Sequence, residues 1–334
     1  MPELRKDPLL DRWVIMAPER ADRPNSFLKA RDDTADLTLC PFCPGNEKLT
    51  TGELYAIRNP GTAINTPGWS LRVIPNRFPA LRTEIPVTRT GLGNYDAMGG
   101  TGAHEVIIET PDHRGGLAKM DAGQIAMVLQ AWQSRMLDLS RDERLVYAQI
   151  FQNVGTPAGA TLAHPHSQLI ALPIVPRDLS EELKTAREHF ARKQRCLLCD
   201  LVQQELAAKE RVVVETDRWV ALAPFASRSP FEVHLHPKLH RGAFEKLSVE
   251  ETQSLAAALR TVLRKLAVAL EEPALNLFLM TLPLRDPGSH WYHFRIVLKP
   301  VLTQPGGFEW GSGFGINPTL PEEAARFLRQ TETT

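Results

Sequence analysis

The chain has 334 residues, 43% hydrophobic, 23% charged and 7% aromatic, an ordinary globular composition with length for about two domains of roughly 150 residues. Disordered, fibrous and disulfide-stapled classes are excluded. Thirty-nine Lys and Arg balance thirty-nine Asp and Glu, so no global field draws in nucleic acid or an anionic membrane, and any anion must be held by a local site.

In chain order, the opening MPELRKDPLLDRWV lacks the apolar core of a signal peptide, and the most apolar later stretch, Leu255 to Leu270, is broken by Arg260, Arg264 and Lys265. A cytoplasmic protein is expected. Cys40 and Cys43 then form a Cys-x-x-Cys pair, and Cys196 with Cys199 form a second. Two thiolates three apart can grip one metal ion from a single turn, half of a tetrahedral zinc site. A redox dithiol, or four buried small hydrophobes, is the alternative on the pairs alone.

The segment from Glu105 to Asp112 reads as a strand ending at a proline, followed by His113-Arg114-Gly115-Gly116-Leu117-Ala118-Lys119-Met120. The pattern returns as Phe231 to Leu239 and His240-Arg241-Gly242-Ala243-Phe244-Glu245-Lys246-Leu247, an internal duplication. A helix follows each copy. Asp121 with Gln124, and Ser248 with Glu251, have capping-box spacing, and the stripes Ile125, Leu129, Trp132, Met136 and Leu255, Leu259, Val262, Leu266 recur at three to four residues. The expected fold is α+β: two duplicated domains, residues 1–176 and 177–334, each an antiparallel sheet with a long amphipathic helix.

Paired thiolates are usually completed by imidazoles. His164 follows His113 by 51 residues and His293 follows His240 by 53. The intervals nominate Cys40, Cys43, His113 and His164 for one site, and Cys196, Cys199, His240 and His293 for the other, with His290 competing for the last place. Closed four-ligand sites of this kind are structural.

His164-Pro165-His166-Ser167-Gln168 lies in Leu162 to Pro173, a stretch apolar enough for a buried strand, whose alternation would put His164, His166 and Gln168 on one face. The second copy has His293-Phe294-Arg295, with Arg where His166 would stand. A well-held neutral imidazole can attack phosphorus and be displaced again, dividing one transfer into two easier ones. His164 and His166 as joint ligands, or as satisfied core residues, is the alternative.

These residues carry a resemblance. Asn153-Val154-Gly155, Gly159-Ala160-Thr161 and His164 to Gln168 resemble the active-site strand of the galactose-1-phosphate uridylyltransferase family, in the histidine-triad superfamily. The likeness covers nearly the whole chain: Asp7-Pro8 to Trp13-Val14, Ala17 to Pro24, Ile74 to Leu81, Pro230-Phe231-Glu232 and Gly306-Gly307-Phe308-Glu309 resemble other family segments. It implies two histidine-triad-like domains and a ping-pong nucleotidyl transfer from a nucleoside diphosphate sugar to a sugar 1-phosphate, as in galactose metabolism. His166 would be the nucleophile and Gln168 would stabilise the moving phosphoryl group. Asn153, Gly155, Gly159 and Thr161 would line the phosphates, Arg20, Arg23 and Asn76 the nucleotide, Phe308 and Glu309 the hexose. Zinc at two sites and a homodimer are implied as well. Ser167 and the second Cys pair also resemble an ADP-glucose phosphorylase branch, which uses inorganic phosphate as acceptor. A histidine-triad nucleotide hydrolase or binding protein, or a zinc-held scaffold, would need no acceptor loop at Gly306 to Gly313.

Overall fold

The computed structural model describes residues 1–22, 40–286 and 290–333. In chain order the elements are β1 (Glu3–Lys6), β2 (Trp13–Met16), β3 (Tyr55–Arg58), β4 (Trp69–Pro75), β5 (Arg89–Leu92), β6 (Tyr95–Met98), β7 (Ala103–Ile108), α1 (Ala122–Leu139), β8 (Tyr147–Val154), β9 (His166–Leu172) and α2 (Arg177–Lys193). The second half adds α3 (Leu197–Ala208), β10 (Val212–Glu215), β11 (Trp219–Leu222), β12 (Val233–Pro237), α4 (Val249–Ala269), β13 (Leu275–Met280), β14 (Arg295–Pro300), α5 (Gly307–Ser312), β15 (Gly315–Asn317) and α6 (Pro321–Gln330). The fold is α+β, as expected.

Ten strands form one sheet in the order β10-β11-β12-β14-β13-β8-β9-β7-β4-β3. Read inward from either edge, the two halves give the same sequence of strands, and they meet where β8 pairs antiparallel with β13. Phe151 stands opposite Phe278 at that seam, and 127 residues separate them, the interval that separates His113 from His240. The duplication is therefore a pseudo-twofold with its axis through the middle of a continuous sheet. A small sheet, β1-β2-β15, lies apart from it.

The apolar stripes of α1 and α4 cover one face of this sheet. Ile125, Leu129, Trp132 and Met136 share one buried cluster with Leu255, Leu259, Val262 and Leu266, and with Leu71, Ile107, Leu169, Leu277 and Ile296 from the strands beneath. Both halves thus bury their helices in a common core, with Phe244 between the rings of Trp132 and Phe294. The caps differ. Ser248 and Glu251 form a full reciprocal box, whereas Asp121 accepts from the Gln124 N–H at 2.8 Å while the Gln124 side chain reaches the carbonyls of Ser70 and Glu109. That side chain ties α1 to two strands instead of closing its own cap.

The helix-covered face also buries polar groups. Arg135 of α1 holds Glu105 of β7 with two bonds of 2.7 and 2.8 Å. Ser167 accepts from the Trp132 indole N–H at 2.8 Å, and Glu109, fully buried, accepts from the Gln152 amide at 2.6 Å. Glu109 Oε1 and Gln152 Oε1 have no partner, and a proton on Glu109 gives it a donor to offer. Burial accordingly pushes the Glu109 carboxyl up to about 8, against hydrogen bonds from Ser167 and Gln152 that favour the anion.

A carboxyl raised in the folded state favours folding most below the pKa of the unfolded chain, and that contribution is lost as pH rises towards the folded value. The wild type is therefore expected to lose stability relative to Glu109→Gln between about pH 4.5 and 8, by no more than about 5 kcal/mol. Denaturant midpoints of both proteins across that window measure it. Parallel pH profiles would show that Glu109 is ionised throughout.

Candidate active site

Cys40 and Cys43 sit in a tight turn closed by Cys43 N–H to Cys40 O at 3.3 Å and by the Asn46 amide on the same carbonyl at 2.8 Å. His113 lies just beyond β7, and His164 just before β9. Cys43 Sγ lies 3.3 Å from His113 Nδ1 and 3.6 Å from His164 Nδ1, and Cys40 Sγ lies 3.7 Å from the latter. All four candidate ligand atoms fall within 4.8 Å of one another. A tetrahedral zinc with Zn–S of about 2.3 Å and Zn–N of about 2.05 Å sets sulfur and nitrogen about 3.6 Å apart, so the donor set fits such an ion. The far nitrogen of His164 donates to Thr110 O at 2.8 Å, leaving Nδ1 with its lone pair inward. Burial holds the His164 ring down to about 4, hence neutral, while burial and the neighbouring Cys40 push the Cys43 thiol up to about 11. A cation between the sulfurs reverses that second effect.

The second half repeats the arrangement. Cys199 Sγ lies 3.2 Å from His240 Nδ1 and 3.5 Å from His293 Nδ1, with Cys196 completing a group whose ligand atoms also lie within 4.8 Å. His290 is exposed and outside this group. His293 Nε2 lies 3.4 Å from His236 Nδ1. The two clusters occupy matching places at the feet of β9 and β14.

Strand β9 begins at His166, so His164 does not share its face. Pro165 separates the two, which sends His164 back to the cysteines and His166 out along the sheet face opposite the helices. The ring of His166 is buried, rests against Phe42 at 5.3 Å, and donates from Nδ1 to the His164 carbonyl at 2.7 Å. Burial lowers its pKa, so the ring is neutral at pH 7 with an unprotonated Nε2. Gln168 follows on the same face, its Oε1 2.8 Å from His104 Nε2.

Asn153 stands next to the last residue of β8, and its Oδ1 accepts from Asn276 of β13 at 2.9 Å. Gly155 (φ +79) and Gly159 (φ +90) turn the following loop, which Asn276 also ties through Ala158 O at 2.8 Å. A side chain at Gly155 would be strained by that φ and would meet Ala274 at 3.2 Å. Thr161 is exposed. Asn76 follows β4, its N–H on His104 O at 2.8 Å. Arg20 is half-buried in the turn Pro18–Asp22, and Arg23 lies outside the described residues. Phe308 and Glu309 stand apart on α5 in the second half, Phe308 exposed and Glu309 accepting from its own helix's Gly306 N–H at 2.9 Å. His104, Phe42 and Asn276 escape the motif reading. Alternation along β7 puts His104 on the face of Val106, which pairs with Gln168, and this was the one local signal.

Beside Asn153 the same sheet face opens into a cavity of about 480 Å³, floored by Phe151, Asn276, Phe278 and Arg295. Where the first copy has His166, Arg295 is fully buried and held by Glu182 at 2.6 and 3.0 Å.

Residues 1–176 match the model of the galactose-1-phosphate uridyl transferase N-terminal domain, and residues 182–301 that of its C-terminal domain. The chain belongs to the galactose-1-phosphate uridylyltransferase family. It is 36% identical to an ADP-glucose phosphorylase of Arabidopsis thaliana, over 100% of this chain and 94% of that protein. It is also 32% identical to a galactose-1-phosphate uridylyltransferase of Thermotoga maritima, over 99% of each. The solved ADP-glucose phosphorylase from Arabidopsis thaliana with bound ADP-glucose superposes with a TM-score of 0.84 at 34% identity, covering 99% of this chain and 100% of that chain. A solved uridylyltransferase gives 0.76 at 29% identity, covering 98% and 97%. The family is one of transferases, and among the described residues no helix is long and apolar enough to cross a membrane.

Elemental analysis of the purified chain is expected to find two divalent ions. Cys43→Ser should release one of them and Cys199→Ser the other. With Cys199→Ser, thermal stability should fall while the folded fraction keeps its turnover number, because Arg295 stands where the first copy has His166. A metal-free wild type with a Cys40–Cys43 disulfide would refute the first site, and lost turnover with full metal content in Cys199→Ser would make the second site catalytic.

Proposed function

We propose that the chain is a nucleotidyltransferase working through a nucleotidyl-histidine, with UDP-glucose and hexose 1-phosphate, galactose 1-phosphate above all, as its substrates. The observation that carries this reading is the 2.7 Å bond from His166 Nδ1–H to the His164 carbonyl. It places the lone pair on Nε2 and aims it from a rigid strand. Nε2 attacks the α-phosphorus, the N–P bond forms, the P–O bond to the β-phosphate breaks, and its electron pair leaves with sugar 1-phosphate. The resulting imidazolium keeps its Nδ1 proton on the His164 carbonyl, which is where the new positive charge needs an acceptor. The second sugar phosphate attacks the same phosphorus and His166 departs with its lone pair restored.

Gln168 donates to a phosphoryl oxygen as charge builds there. Asn153, Gly155, Gly159 and Thr161 border the phosphates, and Arg20, Arg23 and Asn76 the nucleotide. Residues 1–176 form the catalytic half, and residues 177–334 carry the second metal and the acceptor loop with Phe308 and Glu309. Both clusters hold zinc, whose contribution is to fix the backbone at His164 and His293. The exposed Phe308 and Trp310 of α5 suit a second copy of the chain, giving a homodimer, and four free cysteines suit the reducing cytoplasm.

Adenylyl transfer from ADP-glucose to inorganic phosphate is a second reading, favoured by Ser167 and by the 36% identity to the Arabidopsis thaliana phosphorylase. Incubation with UDP-glucose or ADP-glucose, followed by intact-mass measurement, separates the two as a UMP or an AMP adduct. His166→Ala should abolish the adduct and lower turnover by many orders of magnitude, with metal content and melting temperature nearly unchanged. Retention of more than a few per cent of activity would remove His166 from this role.

A further inference from the structure

We infer that His104 is a positioning residue that fixes which end of the Gln168 amide faces the transferring phosphoryl group. The argument starts from a backbone bond. The Ala80 N–H donates to His104 Nδ1 at 3.1 Å, so Nδ1 is the acceptor and the proton of the neutral ring resides on Nε2. That Nε2–H lies 2.8 Å from Gln168 Oε1 and donates to it. An amide has one carbonyl end and one NH2 end, so an occupied oxygen leaves the NH2 as the free end. It projects on the strand face that carries His166.

Asn76 completes the arrangement. Its Oδ1 accepts from the Phe78 N–H at 2.9 Å, and its NH2 lies 3.1 Å from His104 Nε2. A protonated Nε2 cannot accept, so the Asn76 amide is oriented by the Phe78 N–H and not by the imidazole. The imidazole thus sets the Gln168 amide and the Phe78 N–H sets that of Asn76, on segments joined by the Asn76 N–H to His104 O bond of 2.8 Å. Without it the Gln168 side chain can rotate and present its carbonyl oxygen to an anion, a repulsive contact where the transition state needs a donor.

The inference rests on nucleotidyl transfer at His166, and its tests separate from that reading. His104→Leu should lower kcat about 10- to 100-fold with KM for the nucleotide sugar changed less than about threefold, since the lost contact matters most in the transition state. His104→Gln, which can still present an amide N–H to Gln168, should recover most of the loss. In a Gln168→Ala background His104→Leu should add no further loss, because its partner is already gone. Independent additive losses, or equal damage from Leu and Gln, would overturn the role. Nitrogen-15 NMR of the wild-type ring decides the tautomer without any turnover: Nε2–H is expected, and Nδ1–H would overturn the inference even in an active enzyme. A wild type that forms no nucleotide adduct would sink the proposed function, while the ring proton would still be read.

Discussion

The bond between the His166 ring and the His164 carbonyl depends on a short stretch of backbone being held in one place, and much of the first half supplies that restraint. A hydrogen bond of 2.7 Å tolerates only small shifts of its acceptor before it weakens. The carbonyl belongs to a residue whose ring is fixed at both nitrogens, one towards the cysteines and the other on Thr110 O. Next to it, Pro165 O accepts from the Glu109 N–H at 3.2 Å. The Cys/His cluster is thus connected to the His166 ring through the backbone: it anchors the acceptor that sets the tautomer of that ring. This explains how a closed metal site can matter to transfer without offering a coordination position to substrate.

Comparison of the two copies separates what the fold needs from what the reaction needs. Both retain a Cys pair, two His, a capped helix and five strands in the same order, so these belong to folding. At the position of His166 the second copy has Arg295, which forms a buried pair with Glu182, while Tyr292 OH donates to the same carboxylate at 3.1 Å. Glu182 lies on α2, the helix that follows β9. Such a pair costs desolvation, which two Arg295 bonds to Glu182 and the Tyr292 hydroxyl offset, while Arg295 Nε is left without a partner. It locks α2 onto the second half of the sheet, on the face where the first copy carries the His166 ring.

Legibility followed the range of each interaction. The ligand sets were readable because metal chemistry admits few residue types and the duplication repeats their intervals. The stripe from Ile125 to Met136 was readable because a helix repeats every 3.6 residues, and every member is buried. The β8–β13 seam was not, since pairing between halves leaves no periodic trace in either strand. The strand containing His164 was drawn too long because alternation was carried through Pro165. His104 and Asn276 were invisible for a related reason: their partners lie 64 and 123 residues away, and an isolated polar residue on a strand looks the same whether it braces a catalytic amide or faces water.

Strand β9 is braced on both faces by different means, and the difference follows from what each face must do. Towards the helices, Ser167 meets Trp132 in a buried layer beside Glu109 and Gln152, where a missed bond costs a full desolvation penalty. On the opposite face, Gln168 meets His104 in a half-buried position, where water can replace a lost partner and the bond is weaker. In the proposed ping-pong reaction His166 serves two different leaving groups, so the strand itself must not move between half-reactions. The side chains that meet the exchanging phosphates must still adjust to each. Rigid backing behind β9 with adjustable amides in front satisfies both demands. It also predicts where tolerance lies: substitutions on the front face should alter rates while leaving the fold intact, whereas those behind it should unsettle the strand and lower every rate together.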